Sequence, residues 1–329
     1  MVFREVGKSG MMASVISLGT WAAGGDSAWG DPDDALAIRT MEEGIAKGIN
    51  LIDTAPAYGF GHSEELVGRA VKGKRSEVLI STKCGLGWDT EEGSFLLSRD
   101  GKNVMRNLSK KAVKQGAEDS LRRLNTDYID VFITHWQSVE PLKTPISETM
   151  EALLELKAEG KIRAIGISNV TVAEVEEYLQ CGRVDVIQQR YSMITNGAEK
   201  NILPICNEHN ITFQTYMPLE QGLLAGKITP DTVLDAQDIR NRNPWYKNEN
   251  LAPVLRMLEK WKPLCEKYGC TYSQLSLAWT IAHSPRFNVL CGSRKPQHIE
   301  ENVVAAGLVL EAADIADMNC DLGQLPKVI

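Results

Sequence analysis

Four polar residues sit where short aliphatic runs give out, and their types suggest one piece of chemistry. Asp53 closes Asn50-Leu51-Ile52. Lys83 comes just after Val78-Leu79-Ile80-Ser81, and His135 just after Ile129-Asp130-Val131-Phe132-Ile133. Tyr58 follows on the loop beyond Asp53. Each has an ordinary explanation taken singly: a turn cap before Thr54-Ala55-Pro56, a solvated ammonium, a satisfied core imidazole, a packed ring beside Gly59. Together they complement one another. Tyrosine, with a pKa of about 10, is a poor acid at neutral pH, and an adjacent ammonium stabilises its phenolate. Lys83 is the neighbour for that purpose, and Asp53 holds Lys83 charged and in place. Tyr58 then protonates an oxygen that gains negative charge, and His135 donates a hydrogen bond to the same oxygen. Such a set suits reduction of a carbonyl, with hydride arriving at carbon and a proton at oxygen. The hydride must come from a cofactor, because no side chain supplies one.

Other run ends carry partners for a nicotinamide. Ser168 and Asn169 follow Ala164-Ile165-Gly166-Ile167, and Gln188 follows Asp185-Val186-Ile187. These are hydroxyl and amide groups fit for a carboxamide. Tyr216, after Ile211-Thr212-Phe213-Gln214, offers a flat ring. Gly292-Ser293-Arg294-Lys295 follows Asn288-Val289-Leu290 and precedes a helical pattern over Pro296–Ala306. A cationic, glycine-containing turn at a helix N-terminus suits a phosphate.

The elements that must hold these residues are legible as alternation. With Val15-Ile16-Ser17-Leu18, the runs number eight, and helical patterns separate them. Asp31-Pro32 reads as a helix start, with Ile38, Met41 and Ile45 on one face and Gly48 as a stop. Thr144-Pro145 opens a second such helix, closed by Gly160. Eight strands alternating with helices predict a single (β/α)8 TIM barrel over residues 1–329, in which chemistry gathers at the C-terminal strand ends. A doubly wound sheet would carry Gly-x-Gly-x-x-Gly after its first strand, and the chain has none. Arg4–Met12, with Gly7 and Gly10, predicts an N-terminal hairpin closing the barrel's bottom. Cys84–Asn107 and Ile228–Asn250 read as long loops after the third and seventh barrel strands, and long loops in compact domains usually serve function.

Composition narrows the partners. The chain has 329 residues, 43% hydrophobic and 24% charged, which excludes a disordered or collagen-like protein. Its net charge of −7 speaks against a nucleic-acid or anionic-membrane partner. No apolar run approaches the ~18 residues of a membrane helix, and the N-terminus resembles neither a secretory signal nor a transit peptide. The seven scattered cysteines, with no Cys-x-x-Cys pair, read as free thiols in a reducing cytoplasm. The five histidines form no ligand cluster, so no metal is expected.

With these residues assembled, the sequence resembles a bacterial-type aldo-keto reductase almost end to end. The likeness is carried by Ile16-Ser17-Leu18-Gly19-Thr20-Trp21, Gly48–Gly59 with Asp53-Thr54-Ala55-Pro56-Ala57-Tyr58, and Ser81-Thr82-Lys83. It continues in Ile133-Thr134-His135-Trp136, Lys161–Asn169, Gln221-Gly222-Leu223-Leu224-Ala225-Gly226-Lys227 and Glu300-Glu301-Asn302. The resemblance implies a barrel that binds NADP, with NAD as the alternative, and a catalytic tetrad on Asp53, Tyr58, Lys83 and His135. It implies cofactor contacts from Thr20, Trp21, Ser168, Asn169, Gln188 and Tyr216 at the nicotinamide, and from Leu219, Lys227 and Arg240 along the phosphates. Gly292, Arg294, His298, Glu301 and Asn302 fall at the adenosine end, with Arg294 the partner for a 2′-phosphate. Trp21, Trp88 and Trp136 would wall a pocket for sugar-derived or other small polar carbonyl compounds. Four residues depart from the family's pattern: Met217, Glu220, Cys291 and His298. A carboxylate such as Glu220 near phosphates is unfavourable unless it points away or finds a cation. A homo-oligomer is compatible with this reading. Its rivals are a cofactor-binding redox sensor resembling potassium-channel β subunits, and an aldolase using Lys83 as a Schiff base. The aldolase leaves the nicotinamide-side residues without a task.

Overall fold

β-Branched and aliphatic runs pack well on a pleated surface, and a strand covered on both faces carries them without polar interruption. All six residues of Ile129–Thr134 are buried, as are six of the seven in Ile162–Ser168. The computed structural model describes residues 1–25, 30, 33–236 and 238–328.

Strands β1 (Phe3–Glu5) and β2 (Met12–Ser14) pair antiparallel as the expected hairpin. The barrel begins with β3 (Ile16–Gly19), β4 (Leu51–Asp53) and β5 (Leu79–Cys84). After β5 the chain forms a small antiparallel sheet from β6 (Leu86–Gly87), β7 (Ser94–Arg99) and β8 (Lys102–Arg106). The barrel resumes with β9 (Ile129–Thr134), β10 (Ile162–Ser168), β11 (Val186–Arg190), β12 (Thr212–Tyr216) and β13 (Phe287–Gly292), which pairs back onto β3. The eight parallel strands close in sequence order with helices around them, which is the predicted (β/α)8 barrel. Register sets Gly19 beside Asp53, Asp53 beside Ser81, and Ser168 beside Gln188 at one end of the barrel.

The other end is plugged. Val6, Met11 and Ala13 of the hairpin pack into the barrel against Leu51, Val131, Ile133, Ala164, Val186 and Leu290. Gly7 lies at φ +56 against β11's entrance, where a Cβ would stand 2.6 Å from the Asp185 carbonyl oxygen, so only glycine fits. Arg4 donates to the carbonyls of Ile281, Ser284 and Phe287 at 2.9, 2.8 and 2.9 Å. Replacing Arg4 by methionine strands these carbonyls and is expected to cost about 2 kcal/mol of stability. Urea denaturation checks this, and a loss under about 0.5 kcal/mol would show that the plug is not held by the guanidinium.

Three expectations change in detail. The segment after the third barrel strand is the β6–β8 sheet rather than a loop. Its strands are short, face solvent on one side, and turn through Gly85, Gly93 and Gly101, so glycine and charge mask the pairing. The segment after the seventh strand contains short 3-10 turns at Glu220–Ala225, Ile239–Arg242 and Pro244–Tyr246 before the helix Asn248–Lys260. The first helix, Asp34–Ala46, is capped by Asp33, whose side chain accepts from the Leu36 amide; Asp31 and Pro32 lie outside the described residues. The Thr144-Pro145 start holds, with the helix running Ile146–Ala158. Among the described residues, no helix is long and apolar enough to cross a membrane.

Candidate active site

Lys83 projects from the end of β5 into a place with no solvent. Its ammonium donates to Asp53 Oδ1 at 2.7 Å, to the Thr54 carbonyl at 2.8 Å and to Tyr58 Oη at 3.3 Å. Asp53, the last residue of β4, uses Oδ2 to accept from Ser81 Oγ at 3.0 Å and Gln188 Nε2 at 2.9 Å. Burial works against the Lys83 charge, but Asp53 and then Tyr58 outweigh it and hold the ammonium above its ordinary pKa. His135 lies edge-on to Tyr58, ring centroids 5.9 Å apart, and Trp21 flanks the phenol on another side at 6.3 Å.

For Tyr58 the balance differs from the sequence expectation. Burial raises its pKa more than Lys83 and Arg99 lower it, so the phenol is held above its ordinary value. Lys83 moderates that rise without reversing it. Burial, then the Lys83 charge, pushes His135 well below its ordinary value, so its imidazole is neutral. His135 Nδ1 is buried with no hydrogen-bond partner among the described residues. A neutral imidazole can offer a hydrogen bond but adds no competing charge beside Lys83.

These groups form the floor of a cleft of about 730 Å³. Tyr58, His135, Asn169, Gln188 and Tyr216 line it, while Lys83 and Ser168 stand behind the lining. Asn169 bridges two strand ends: its Nδ2 donates to the His135 carbonyl and to Ser168 Oγ, and its Oδ1 accepts from Tyr216 Oη at 2.7 Å. The Tyr216 ring is thereby fixed, and burial pushes its phenol up to about 12. Thr20, Trp21, Leu219, Lys227, Arg240, Gly292, Arg294, His298, Glu301 and Asn302 line the cleft as well. Arg240 is tied to Asp238, Nη2 to Oδ2 at 2.6 Å. Glu301 Oε1 accepts from Thr271 Oγ1 at 2.8 Å, and Arg294 and His298 are exposed. Burial, then the nearby Lys227, lowers the His298 pKa.

Two sequence readings need correction or completion. Trp136 and Trp21 wall the cleft, but Trp88 does not reach it. Trp88 packs edge-on against Phe60 at 5.4 Å, and Phe60 takes the wall position. Leu96, Leu97 and Arg99 of β7 join it. Phe60 reaches the wall from a left-handed turn with Gly59, at φ +53 and +62, a conformation the sequence does not display; β7's contribution was hidden with its sheet. Glu220, the unfavourable carboxylate, points away and finds a cation. It is fully buried and accepts from Arg190, from Ser192 Oγ at 2.7 Å and from Asn243 Nδ2 at 3.0 Å. No group of three or more metal-ligating side chains occurs among the described residues.

Comparison with known proteins bears on what such a cleft does. Residues 15–320 match the aldo/keto reductase family. The chain is 45% identical over 311 residues to the NADH-specific methylglyoxal reductase of Escherichia coli (strain K12), with 94% of each chain covered. It is 35% identical over 322 residues to an aldo-keto reductase of Bacillus subtilis (strain 168), covering 97% of this chain and 93% of that one. Among solved structures, a glycerol dehydrogenase from Gluconobacter oxydans superposes with a TM-score of 0.90 at 33% identity, covering 99% of this chain and 97% of that one.

Proposed function

Because the chain belongs to the aldo/keto reductase family, we propose that it reduces aldehyde and ketone groups of small polar compounds to alcohols, reversibly, with Tyr58 as the proton donor. It would do so as one barrel domain in the cytoplasm, a setting supported by seven free cysteines. The observation that carries this reading is Lys83 Nζ bridging Asp53 at 2.7 Å and Tyr58 at 3.3 Å beneath an open cleft.

The cleft fits a nicotinamide dinucleotide. Gln188 Oε1 has no partner among the described residues at one end, and Lys227 and Arg294 stand at the other, where phosphates need cations. When bound in reduced form, that group supplies the hydride. The protein's own residues do the rest. Tyr58, protonated at neutral pH, gives its proton to the carbonyl oxygen, and Lys83 stabilises the phenolate left behind. Neutral His135 offers a hydrogen bond to the same oxygen while charge builds on it. Trp21, Phe60 and Trp136 exclude water and orient the substrate, and Asn169, Gln188 and Tyr216 hold the nicotinamide. Exposed Arg294 and Lys295 support NADP through a 2′-phosphate; the Escherichia coli relative's NADH specificity supports NAD.

Fluorescence titration with NADPH and NADH tests this, since Trp21 and Trp136 flank the floor. Methylglyoxal, glyceraldehyde and keto-sugars then follow, with absorbance of the reduced dinucleotide recorded. Saturable quenching with consumption is expected, and the tighter dinucleotide fixes the preference. Quenching without turnover on any carbonyl would favour a binding subunit like the potassium-channel β subunits. Absence of quenching by both would reject the cofactor site.

A further inference from the structure

The small sheet β6–β8 turns one face to the cleft. Leu97 on β7 and Val104 on β8 pair across the hairpin, and both line the cleft together with Leu86 and Leu96. Side chains alternate along a strand, so two residues beyond Leu97 the chain returns to that face. The residue there is Arg99, which is half-buried and lines the cleft too. Among the described residues, an otherwise aliphatic wall thus carries a guanidinium. Lys102, its cross-strand neighbour, is turned to Asp89 Oδ2 at 2.8 Å and does not line the cleft.

Arg99 stands close to the chemistry. Its charge reaches the Tyr58 phenol, as that of Lys83 does. Lys83, however, is fully buried behind the lining and bound to Asp53, Thr54 and Tyr58. Of these two cations, Arg99 is the one that the contents of the cleft can touch. Its planar fork of five N–H donors matches a carboxylate, and it can serve an acceptor of the protein and one of a ligand together. The aliphatic surroundings screen the attraction poorly. The carboxylates that line the cleft among the described residues are already engaged: Asp53 by Lys83, Ser81 and Gln188, and Glu301 by Thr271.

We infer that Arg99 is a specificity-determining residue, selecting carbonyl compounds that also carry a carboxylate over neutral ones of the same shape. The inference rests on the reading of the cleft as a reductase site. It narrows the substrate class from small polar carbonyl compounds to small oxo acids. Neutral carbonyls still reach Tyr58, without the gain from Arg99.

The test compares kcat/KM for 3-formylbenzoate and 3-formylbenzamide, which share a shape and an aldehyde and differ in charge. The wild-type protein is expected to favour the acid about tenfold, mostly through KM, the worth of one charge-assisted contact in a half-buried site. Arg99→Gln removes the charge and brings the ratio below about twofold, while Arg99→Lys keeps the charge and holds it above about threefold. A merely structural role for Arg99 in the β7–β8 hairpin would lower both rates together and leave the ratio alone. A wild-type ratio below about twofold, or an unchanged ratio in Arg99→Gln, overturns the inference. If Arg99→Gln does not fold, salt decides: about 1 M salt should at least halve the wild-type ratio, and a ratio that salt leaves unmoved overturns the inference. Reduction of methylglyoxal with neither aldehyde accepted overturns it as well. Dinucleotide quenching without turnover on any carbonyl would instead reject the reductase reading; turnover of acid and amide at equal efficiency rejects the role of Arg99 alone.

Discussion

Replacing Tyr58 by phenylalanine is expected to lower carbonyl reduction about a thousandfold while leaving dinucleotide affinity within about twofold, because proton transfer is lost and the ring is kept. The phenol is the acidic group that Lys83 touches at the cleft floor, and His135 is neutral in this environment. Steady-state kinetics and fluorescence titration on the same preparation check both halves. Turnover surviving within a few-fold would remove Tyr58 from the proton-donor role. The pKa direction adds a second readout. Burial holds the Tyr58 pKa above its ordinary value, so its proton is present throughout neutral pH and lost only as pH rises through that raised value. The difference in phenolate absorbance between wild type and Tyr58→Phe should therefore set in at higher pH than the ionisation of an ordinary tyrosine. A difference growing in near neutrality would mean that Lys83 dominates burial.

The second large effect concerns Lys83. Its ammonium is fully buried, with Asp53 as counter-charge at 2.7 Å. Lys83→Met leaves the Asp53 carboxylate buried without its cation and is expected to cost roughly 3–5 kcal/mol of stability. It also removes the stabiliser of the Tyr58 phenolate, so reduction should fall by about a hundredfold or more in the protein that folds. Adding Asp53→Asn to Lys83→Met removes the orphaned charge; stability should partly return while activity does not. Urea denaturation and kinetics on the wild type and the two variants separate the two roles. Recovery of activity with stability would show that Lys83 acts only as a structural counter-ion.

The barrel was legible because a strand buried on both faces must be written as an aliphatic run, and the polar residue at its end then marks the rim. Asp53, His135, Gln188 and Tyr216 were found that way, and each does stand at one end of the barrel. Less local information was harder to extract. Whether Lys83 lowers Tyr58's pKa depends on how dry the site is, which no spacing conveys. Trp88 was placed on the cleft wall, yet residues 85–107 fold into a small sheet that brings Leu97 to the cleft, while Trp88 packs against Phe60, which lines it instead. Gln214 and Asn288 lie inside runs read as core, where a polar residue looks like an interruption; only the assembled barrel shows Gln214 Nε2 donating to Asn288 Oδ1. Glu220 looked hostile to phosphate because Arg190 is 30 positions away in sequence.

The plug at the barrel's base has a consequence for how the molecule is made. Arg4 grips carbonyls of Ile281, Ser284 and Phe287, so an early residue is satisfied by groups 277 to 283 positions later in the chain. β3 likewise waits for β13, its neighbour in the closed ring. At roughly 5–20 residues per second of synthesis, the early strands spend many seconds with an unpaired edge before the ring can close. That interval is when such edges recruit other chains. Slowing translation between β3 and β13 should therefore lower the yield of folded protein more than slowing it before β3.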